Sequence, residues 1–333
     1  MKYILGVLLL TMAANGVRAV ENRAADALRI NAGHLQQALE ELSTFGRPVG
    51  GSFADGVSRV AYSDADVAGR RYVMQLMRDA GLEPQIDTAG NIHGVRQGSR
   101  PGSKPIMFGS HIDSVPNGGN FDGELGSLAA IEVIRALRDA KIQTHHPLEV
   151  VVWSNEEGGT IGSHSAISAV GTSTLDRAFN GITLRQGLPK IGGDPLRLDE
   201  ARRAPQSIDC YLELHIEQGP TLDRAAVPIG VVDGIVSIDE YEVEIQGLPP
   251  ALASRAVQEQ IESAAAVLGL KTMHLPSGAG HDAQNIAQIA PMGMIFVPSV
   301  RGISHSPKEL TRWSDCANGA NVLLQTILRM DRT

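Results

Sequence analysis

The 333-residue chain carries a formal net charge of -8, with 43% hydrophobic and 20% charged residues. This length allows one large domain or two ordinary ones, and the composition predicts a globular protein with ample material for a core. The acidic balance argues against a nucleic-acid-binding surface, because there is no basic excess to neutralise phosphates. Abundant glycine (36 residues) and scarce aromatic residues (4%) favour an α/β enzyme with many tight turns between strands and helices.

The N-terminus has the pattern of a secretory signal. Lys2 provides a positive start, residues 4–12 form an apolar run, and Val17-Arg18-Ala19 ends in a small residue. We expect cleavage after Ala19 and export to the periplasm, and the alternative is a first core helix. The run is too short to span a bilayer, and the sequence holds no other apolar run long enough for a membrane span.

Cys210 and Cys316 are the two cysteines of the chain. In an oxidising compartment they could form a disulfide, and two buried free thiols are an equally open alternative. Neither state is predicted over the other.

The mature chain is predicted to open with helices and then to alternate between strands and helices. An amphipathic stretch from Ala24 to Leu42 indicates the first helix. The sequence Ser63-Asp64-Ala65-Asp66 has the pattern of a capping box, and the helix that it begins is expected to run to about Ala80, before Gly81. The later alternation of strands and helices is typical of an α/β sandwich.

Four apolar runs, each predicted to be a strand, are followed by residues of the kind that bind metals. The runs are Ile106–Phe108, Leu148–Trp153, the alternating stretch from Ile208, and Met292–Val297. In the same order, the residues after them are His111 with Asp113, Glu156 with Glu157, His215 with Glu217 and Gln218, and His305. A loop after the first run contributes Asp122, before a helix expected from about Ser127 to Ala140. Ligands of open α/β sheets bind at the carboxyl ends of the strands, so these side chains are expected to converge.

Three imidazoles and two carboxylates form a ligand set that suits zinc, with manganese and cobalt as alternatives. Five ligands exceed the number that one catalytic zinc ion uses, so two ions that share a bridging carboxylate fit better. Each residue alone has an ordinary interpretation, since a single histidine after a strand is more often a surface residue than a ligand. The repetition at four strand ends favours a metal site.

Five motifs follow one another along the chain: GSHIDSVPNGGNFDGELG, NEEGG, ELHIEQGP, PSGAGHDA and GISHSPKE. In this order they resemble the metal-dependent amidohydrolases that include N-carbamoyl-L-amino-acid hydrolases, allantoate amidohydrolases and β-ureidopropionases. The resemblance covers about residues 62–246 and 251–330, and it implies a three-layer α/β sandwich with a central mixed, mostly parallel sheet. HIEQGP separates this ureido-hydrolysing branch from related aminopeptidases, which usually have a carboxylate at the position of His215.

The resemblance implies a role for each candidate ligand. His111 and His215 would hold one metal ion, and Glu157 and His305 would hold the other. Asp122 would bridge the two ions. Zinc would be the expected metal, with manganese or cobalt as alternatives.

The resemblance also implies the remaining roles in catalysis and binding. Asp113 would orient His111 through its carboxylate, and Glu156 would be the general base for the attacking water. Substrate contacts would come from Gln218 and from the loop 277–283, with Gly278, Gly280 and His281.

A departure from the family pattern begins at Gly247. In the family, the strand region up to this point leads into an inserted lid domain that carries the homodimer interface and the groups that grip the substrate. Here a helix pattern follows directly from residue 251, so on the order of 100 residues, a domain's worth, are expected to be absent. The predicted organisation is a signal peptide (1–19), a catalytic domain in two parts (20–227 and 251–333) and a lid remnant (228–250).

Loss of the lid would have physical consequences. The remnant would retain unpaired strand edges, the family's homodimer interface would be absent, and a wet site would lose substrate positioning. The predicted function is a dinuclear metal hydrolase of non-peptide carbon–nitrogen bonds in small linear amides or ureido acids, with reduced activity. The alternatives are a metallo-aminopeptidase and a non-catalytic metal-binding remnant. Glu124, an unexpected acid near Asp122, is expected to be an exposed residue without a role, and the alternative is that it tightens metal binding.

Overall fold

The computed structural model describes residues 25–236, 238–242, 244–248 and 250–332. The predicted export signal, residues 1–19, lies outside the described residues, so export stays a prediction. Within the described ranges, no helix combines the length and the apolar character that crossing a membrane requires.

Strands and helices alternate along the chain, as the sequence predicted. The strands are β1 (Gln85–Ile86), β2 (Ile92–Arg96), β3 (Ile106–His111), β4 (Leu148–Trp153), β5 (Ala178–Phe179), β6 (Ile182–Thr183), β7 (Cys210–Ile216), β8 (Ile229–Ile235), β9 (Ile238–Glu242), β10 (Glu244–Leu248), β11 (Ala251–Leu252), β12 (Thr272–Ser277) and β13 (Met292–Val297). The α-helices are α1 (Ala32–Leu42), α2 (Asp64–Asp79), α3 (Glu124–Asp139), α4 (Ile161–Ile167), α5 (Thr172–Asp176), α6 (Leu184–Gly187), α7 (Thr221–Ala225), α8 (Arg255–Val267), α9 (Asp282–Ile286) and α10 (Trp313–Met330).

Nine of the described strands form one sheet in the order β1-β2-β4-β3-β7-β13-β8-β11, with β12 paired to β8. The central strands β4, β3, β7 and β13 are parallel to one another, whereas β2 and β8 run antiparallel to their central neighbours. The sheet is therefore mixed with a parallel centre, which confirms the predicted fold class. The parallel centre consists of the four strands whose sequences end in ligand-type residues, so their carboxyl ends lie side by side.

Alternate side chains of the central strands enter two separate cores, which makes the sheet the middle layer of three. Ile106 and Phe108 of β3 belong to a core formed with α3, α8 and α10. Met107 points the other way and belongs to a core that includes Tyr211 and residues of α9. Burying one large apolar side chain contributes about 1.5–3 kcal/mol. Packing on both faces therefore fixes the strands whose ends carry the candidate site.

Three helices start at residues that differ from the sequence prediction. The helix pattern expected from residue 251 begins only at Arg255 as α8, because Ala251 and Leu252 form β11. The stretch predicted as one helix from Ala24 is interrupted, and α1 begins only after Asn31, whose side chain accepts the N–H of His34 at 3.2 Å as an N-cap. Helix α3 begins at Glu124 rather than near Ser127. The predicted N-terminus of α2 is confirmed, because Ser63 is its N-cap residue.

The segment predicted to be a lid remnant divides into two parts. Strand β8 belongs to the main sheet, where it pairs with β13, β11 and β12. The expectation that unpaired strand edges begin near Pro228 is therefore wrong for residues 229–235, which lie inside the catalytic sheet. Strands β9 and β10 form a separate hairpin, in a register from Ile238↔Leu248 to Glu242↔Glu244.

Both cysteines are buried and neither forms a disulfide. Burial raises the pKa of each thiol well above its ordinary value. Of the two states that the sequence left open, the structure has the free thiols.

Candidate active site and metal centre

Asp122 lies between two groups of candidate ligands. Its Oδ1 is 3.1 Å from Nε2 of His215 and 3.8 Å from Nε2 of His111. Its Oδ2 is 3.2 Å from Nε2 of His305, which in turn is 3.4 Å from Oε2 of Glu157. The structure thus brings together all five predicted ligands, with the carboxylate of Asp122 shared between the two groups.

The separations between these atoms are compatible with those of ligands around a metal ion. Ligands placed tetrahedrally at about 2.1 Å from zinc lie about 3.4 Å from one another. Each group offers three protein ligands whose atoms lie within 4.8 Å of one another, which leaves a further coordination position for water or substrate. In the described structure, Oε1 of Glu157 is buried without a hydrogen-bond partner. A bound cation would satisfy such an oxygen, so the residues present fit divalent metal ions.

Main-chain carbonyls orient two of the imidazoles. Nδ1 of His111 donates to the carbonyl oxygen of Asp113 at 3.0 Å, and Nδ1 of His215 donates to that of Ile216 at 2.9 Å. Each Nε2 is thereby left to act as a ligand. The sequence predicted that the carboxylate of Asp113 would orient His111, but its Oδ1 lies 3.8 Å from Nδ1, which is beyond hydrogen-bond range. Asp113 orients His111 through its main chain instead.

The carboxylate of Asp113 holds the loop that carries both glutamates. Its Oδ1 accepts the N–H of Glu156 and its Oδ2 accepts the N–H of Glu157, each at 3.2 Å. Burial raises the pKa of Asp113 to about 6, although these hydrogen bonds favour the ionised form. One buried carboxylate therefore fixes the main chain of the predicted base and of a predicted ligand.

Glu156 and Glu157 serve different parts of the site. Oε2 of Glu156 lies 3.7 Å from Nε2 of His111, whereas Glu157 belongs to the other ligand group. Burial, together with the charges of Asp282 and Glu157, raises the pKa of Glu156 well above its ordinary value. Burial and the charge of Asp122 raise the pKa of Glu157 to about 8. Crowded buried carboxylates of this kind are stabilised by bound cations.

The three histidines differ in their electrostatic surroundings. Burial lowers the pKa of His111 to about 4. For His215, the hydrogen bond and charge of Asp122 outweigh burial and raise the pKa to about 9, and a hydrogen bond to Asp122 also raises the pKa of His305 to about 9. Although burial opposes ionisation, these two histidines hold the pKa of Asp122 well below its ordinary value. Asp122 is therefore an ionised carboxylate in contact with both groups.

Gln218 contacts the group that contains His305. Its Nε2 donates to Oδ2 of Asp122 at 2.8 Å and lies 3.2 Å from Nε2 of His305. Gln218 and His305 both have a left-handed backbone, with φ of 55° and 52°, which costs a non-glycine residue roughly 1–2 kcal/mol. Strained residues in contact with each other are typical of functional sites.

The predicted substrate loop reaches the site through His281. Its ring packs edge-to-face against His215 with 4.4 Å between centroids, and its Nε2 lies 2.9 Å from Oγ of Ser277. Gly278 is exposed and Gly280 is half-buried. The structure therefore brings His281 to the predicted ligands, whereas the two glycines lie in the more accessible part of the loop.

A third combination, Glu213 with His215 and His281, also places its ligand atoms within 4.8 Å of one another. Both oxygens of Glu213 already have protein partners. Oε1 accepts from Oγ of Ser110 at 2.7 Å, and Oε2 accepts the N–H of Ala283 at 3.0 Å. Glu213 therefore serves as a hydrogen-bonding residue beside His215 rather than as a candidate metal ligand.

Glu124 is not the exposed residue that the sequence suggested. It is the first residue of α3, it is buried, and it forms an ion pair with the buried guanidinium of Arg59. Burial raises the pKa of Glu124 well above its ordinary value, and the charge of Arg59 opposes this rise. The expectation of an exposed side chain is wrong because the partner lies 65 residues away in sequence.

Sequence reasoning also missed Glu309 and Glu213. Oε1 of Glu309 accepts the N–H groups of Phe121 and Asp122 at 2.9 and 3.2 Å. Glu213 shares a strand face with His215 two residues later, so the period of two could have identified it. Glu309 lies in the motif GISHSPKE. Its role could not be predicted from the sequence, because its partners are main-chain N–H groups, which do not depend on side-chain identity.

A model of the peptidase family M20/M25/M40 matches residues 107–329, about two thirds of the chain. The chain belongs to this family. The matched range contains every predicted metal ligand and the predicted base. The family match and the geometry of the candidate metal centre therefore involve the same part of the chain.

Two curated relatives of this M20/M25/M40 member cover most of it. The N-carbamoyl-L-amino acid amidohydrolase of Geobacillus stearothermophilus is 31% identical over 403 aligned positions, which include 89% of this chain and 98% of the relative. The ureidoglycolate hydrolase of Arabidopsis thaliana is 27% identical, with 92% of this chain and 88% of that relative covered. Because this chain has 333 residues, about a hundred of the 403 positions have no counterpart in it.

Solved structures share the fold. The crystal structure of AtUAH in complex with (S)-hydroxyglycine has a TM-score of 0.83 at 26% identity and covers 93% of this chain and 100% of that chain. The hydantoinase/carbamoylase family amidase from Burkholderia vietnamiensis has a TM-score of 0.81 at 25% identity, with 91% and 98% covered. The amidohydrolase of Geobacillus stearothermophilus and the ureidoglycolate hydrolase of Arabidopsis thaliana hydrolyse non-peptide carbon–nitrogen bonds. This supports the predicted hydrolysis of such bonds over the alternative of a metallo-aminopeptidase.

Proposed function

We propose that this M20/M25/M40 member hydrolyses the ureido group of a small ureido acid at a centre of two divalent metal ions. The observation that carries the proposal is the position of Asp122, whose two carboxylate oxygens face two separate groups of ligands. The names of the relatives support substrates of the N-carbamoyl amino acid or ureidoglycolate type.

The proposed first ion is held by His111, His215 and Asp122, and the proposed second ion by Glu157, His305 and Asp122. Mixed imidazole and carboxylate ligands favour zinc, with manganese or cobalt as alternatives. When bound, two divalent ions polarise the scissile carbonyl and lower the pKa of the attacking water. The proposed ligands lie at the carboxyl ends of β3 and β7 and in the loops that follow β3, β4 and β13, so little reorganisation accompanies the reaction.

Glu156 is the proposed general base. Its carboxylate takes a proton from the water that attacks the ureido carbon, and it returns a proton to the leaving nitrogen as the carbon–nitrogen bond breaks. The carboxylate of Asp113 holds the main chain of Glu156, which gives this proton transfer a defined position. Gln218 is proposed to bind the substrate, since its Oε1 is buried without a partner in the described structure and could accept a ureido N–H.

Two adjacent isosteric variants test the proposal. After dialysis, we expect about two metal equivalents per chain by elemental analysis. Glu156→Gln should retain this metal and lose hydrolysis of an N-carbamoyl amino acid by about 10²-fold or more. The control Glu157→Gln removes a proposed ligand of the second ion, so this variant should bind about one metal equivalent and lose turnover. A wild-type chain without metal, or full turnover by Glu156→Gln, would contradict the proposal.

We further infer that the β9–β10 hairpin takes the place of a lid domain. The hairpin leaves the main sheet between β8 and β11, and the alignment with the Geobacillus relative is about a hundred positions longer than the matching part of this chain. Without a lid, substrate positioning and water exclusion are reduced, so we expect weak turnover that does not saturate at millimolar substrate. Efficient, saturable turnover of N-carbamoyl amino acids would contradict this inference.

The alternative of a metal-binding remnant without catalysis rests on the same missing segment. It predicts two bound metal ions and no hydrolysis in either the wild type or Glu156→Gln. The variant pair above therefore separates it from the enzyme.

A further inference from the structure

Arg59 is a fully buried cation that joins three parts of the chain close to the proposed metal centre. Its side chain is 0% exposed. Nη1 donates to the carbonyl oxygens of Leu42 and Phe45, each at 2.9 Å, and Nε donates to that of Ile112 at 2.6 Å. Nη2 pairs with the carboxylate of Glu124. The guanidinium therefore links the N-terminal helices to the end of β3 and to the start of α3.

The two ends of this link lie next to proposed metal ligands. Ile112 directly follows His111, and Glu124 comes two residues after Asp122. Removing a carboxylate and a guanidinium from water costs several kcal/mol per ion, and apolar residues of similar volume often stabilise a fold equally well. Stability alone therefore gives little reason for this ion pair at this place.

Glu309 holds the same loop from its other side. Its Oε1 accepts the N–H groups of Phe121 and Asp122. The loop wraps closely around this carboxylate, because a Cβ at Gly119 would lie 2.1 Å from Oε1 of Glu309. The main chain of Asp122 is thus fixed by Glu309, and the helix that follows it is fixed by the Arg59–Glu124 pair.

We propose that Arg59, Glu124 and Glu309 are positioning residues that set the distance between Asp122 and His111. The separation between Oδ1 of Asp122 and Nε2 of His111, 3.8 Å, is the longest among the four ligand contacts around Asp122 and Glu157. No direct hydrogen bond holds this pair at that length, so its geometry depends on the segments that carry the two side chains. The inference rests on the proposed function, since it assumes that these two residues bind one ion.

Cobalt binding by the metal-free full-length chain tests this role, because the visible absorption of Co²⁺ reports on its ligands without any turnover. Outer residues that orient metal ligands typically alter affinity by about 10–100-fold. Glu124→Gln keeps the size and one oxygen but removes the charge. This variant should bind one of the two cobalt equivalents about tenfold or more weakly and should alter its spectrum. Arg59→Lys should also weaken cobalt binding, because an ammonium group cannot contact the three carbonyl oxygens and the Glu124 carboxylate at the same time.

Glu149→Gln is the matched control. The buried Glu149 pairs with the half-buried Arg203 near the start of β4, away from the proposed ligands. Its loss should lower stability to urea and leave cobalt affinity and spectrum unchanged. If Glu124→Gln lowers stability as the control does but binds cobalt with wild-type affinity, the pair only fastens the N-terminal helices and the inference is overturned.

Glu309 provides a second pair of variants should Glu124→Gln not fold. Glu309→Gln keeps an oxygen that can accept both N–H groups and should retain most of the cobalt affinity. Glu309→Leu removes the acceptor and should lose affinity about tenfold or more. Equal cobalt affinities in these two variants would also overturn the inference. A wild-type chain that binds no cobalt would instead refute the proposed metal centre, which distinguishes the two failures.

Discussion

Gly123→Ala is predicted to disrupt the ligand group that contains His111. Gly123 has a φ of +76°, a conformation that costs a residue with a Cβ roughly 1–2 kcal/mol. A Cβ at this position would lie 2.3 Å from Cε1 and Nε2 of His111, whereas ordinary contact begins at 3.4 Å. The imidazole or the start of α3 therefore has to move by about 1 Å, and overpacking of this kind adds about 1–3 kcal/mol. The expected loss in free energy of unfolding is about 2–5 kcal/mol.

Gly269→Ala is the matched control for the free-energy cost of placing a Cβ at a positive φ. Gly269 has a φ of +70° just after α8, and a Cβ there would have no heavy atom within 4 Å. Urea denaturation should show a loss of about 1–2 kcal/mol for this variant, with unchanged cobalt binding. Gly123→Ala should lose more stability and one of two cobalt equivalents. If it binds both equivalents with wild-type affinity, the close approach between Gly123 and the imidazole is refuted.

Three further predictions concern regions outside the centre. Although burial opposes it, the hydrogen bond from His93 and neighbouring positive charge hold the pKa of Glu149 at about 2. The stabilisation by Glu149 is complete above the pKa of this group in the unfolded chain and is lost as pH falls towards 2. The difference in unfolding free energy between wild type and Glu149→Gln should therefore shrink by about 1 kcal/mol between pH 7 and pH 4. A difference that stays constant over this range would contradict the prediction. Asn31→Ala should cost about 0.5–2 kcal/mol through loss of the N-cap of α1, and no loss in a urea titration would show that the cap contributes nothing. Cys210 and Cys316 should react with a thiol reagent only after unfolding, so rapid labelling of the native chain would contradict their burial.

The sequence was informative about the strands and the candidate ligands because both follow local rules. Buried parallel strands appear as short apolar runs, and β4 and β13 begin and end where those runs do. The candidate ligands follow these runs at the carboxyl ends of neighbouring strands, and the parallel centre of the sheet brings those ends together. Neither inference requires knowledge of distant contacts.

The residues that the sequence did not reveal act through distant main-chain groups. Glu309 accepts two N–H groups that lie almost 190 residues earlier, and any residue except proline can supply an N–H. Arg59 donates to three carbonyl oxygens, which are likewise independent of side-chain identity. The prediction of unpaired edges for residues 229–235 was wrong for a related reason. The alternation of apolar and polar residues predicts a strand, but it does not show which sheet the strand joins.

The two proposed ion positions differ greatly in their access to solvent. The side chains of His111 and His215 are 1% exposed, whereas that of His305 is 47% exposed. Small chelators can therefore reach the outer position more easily than the inner one. Loading and stripping would be sequential, with a long-lived state that holds the inner ion alone. If hydrolysis requires both ions, the concentration of free metal around the protein would set the fraction of active molecules.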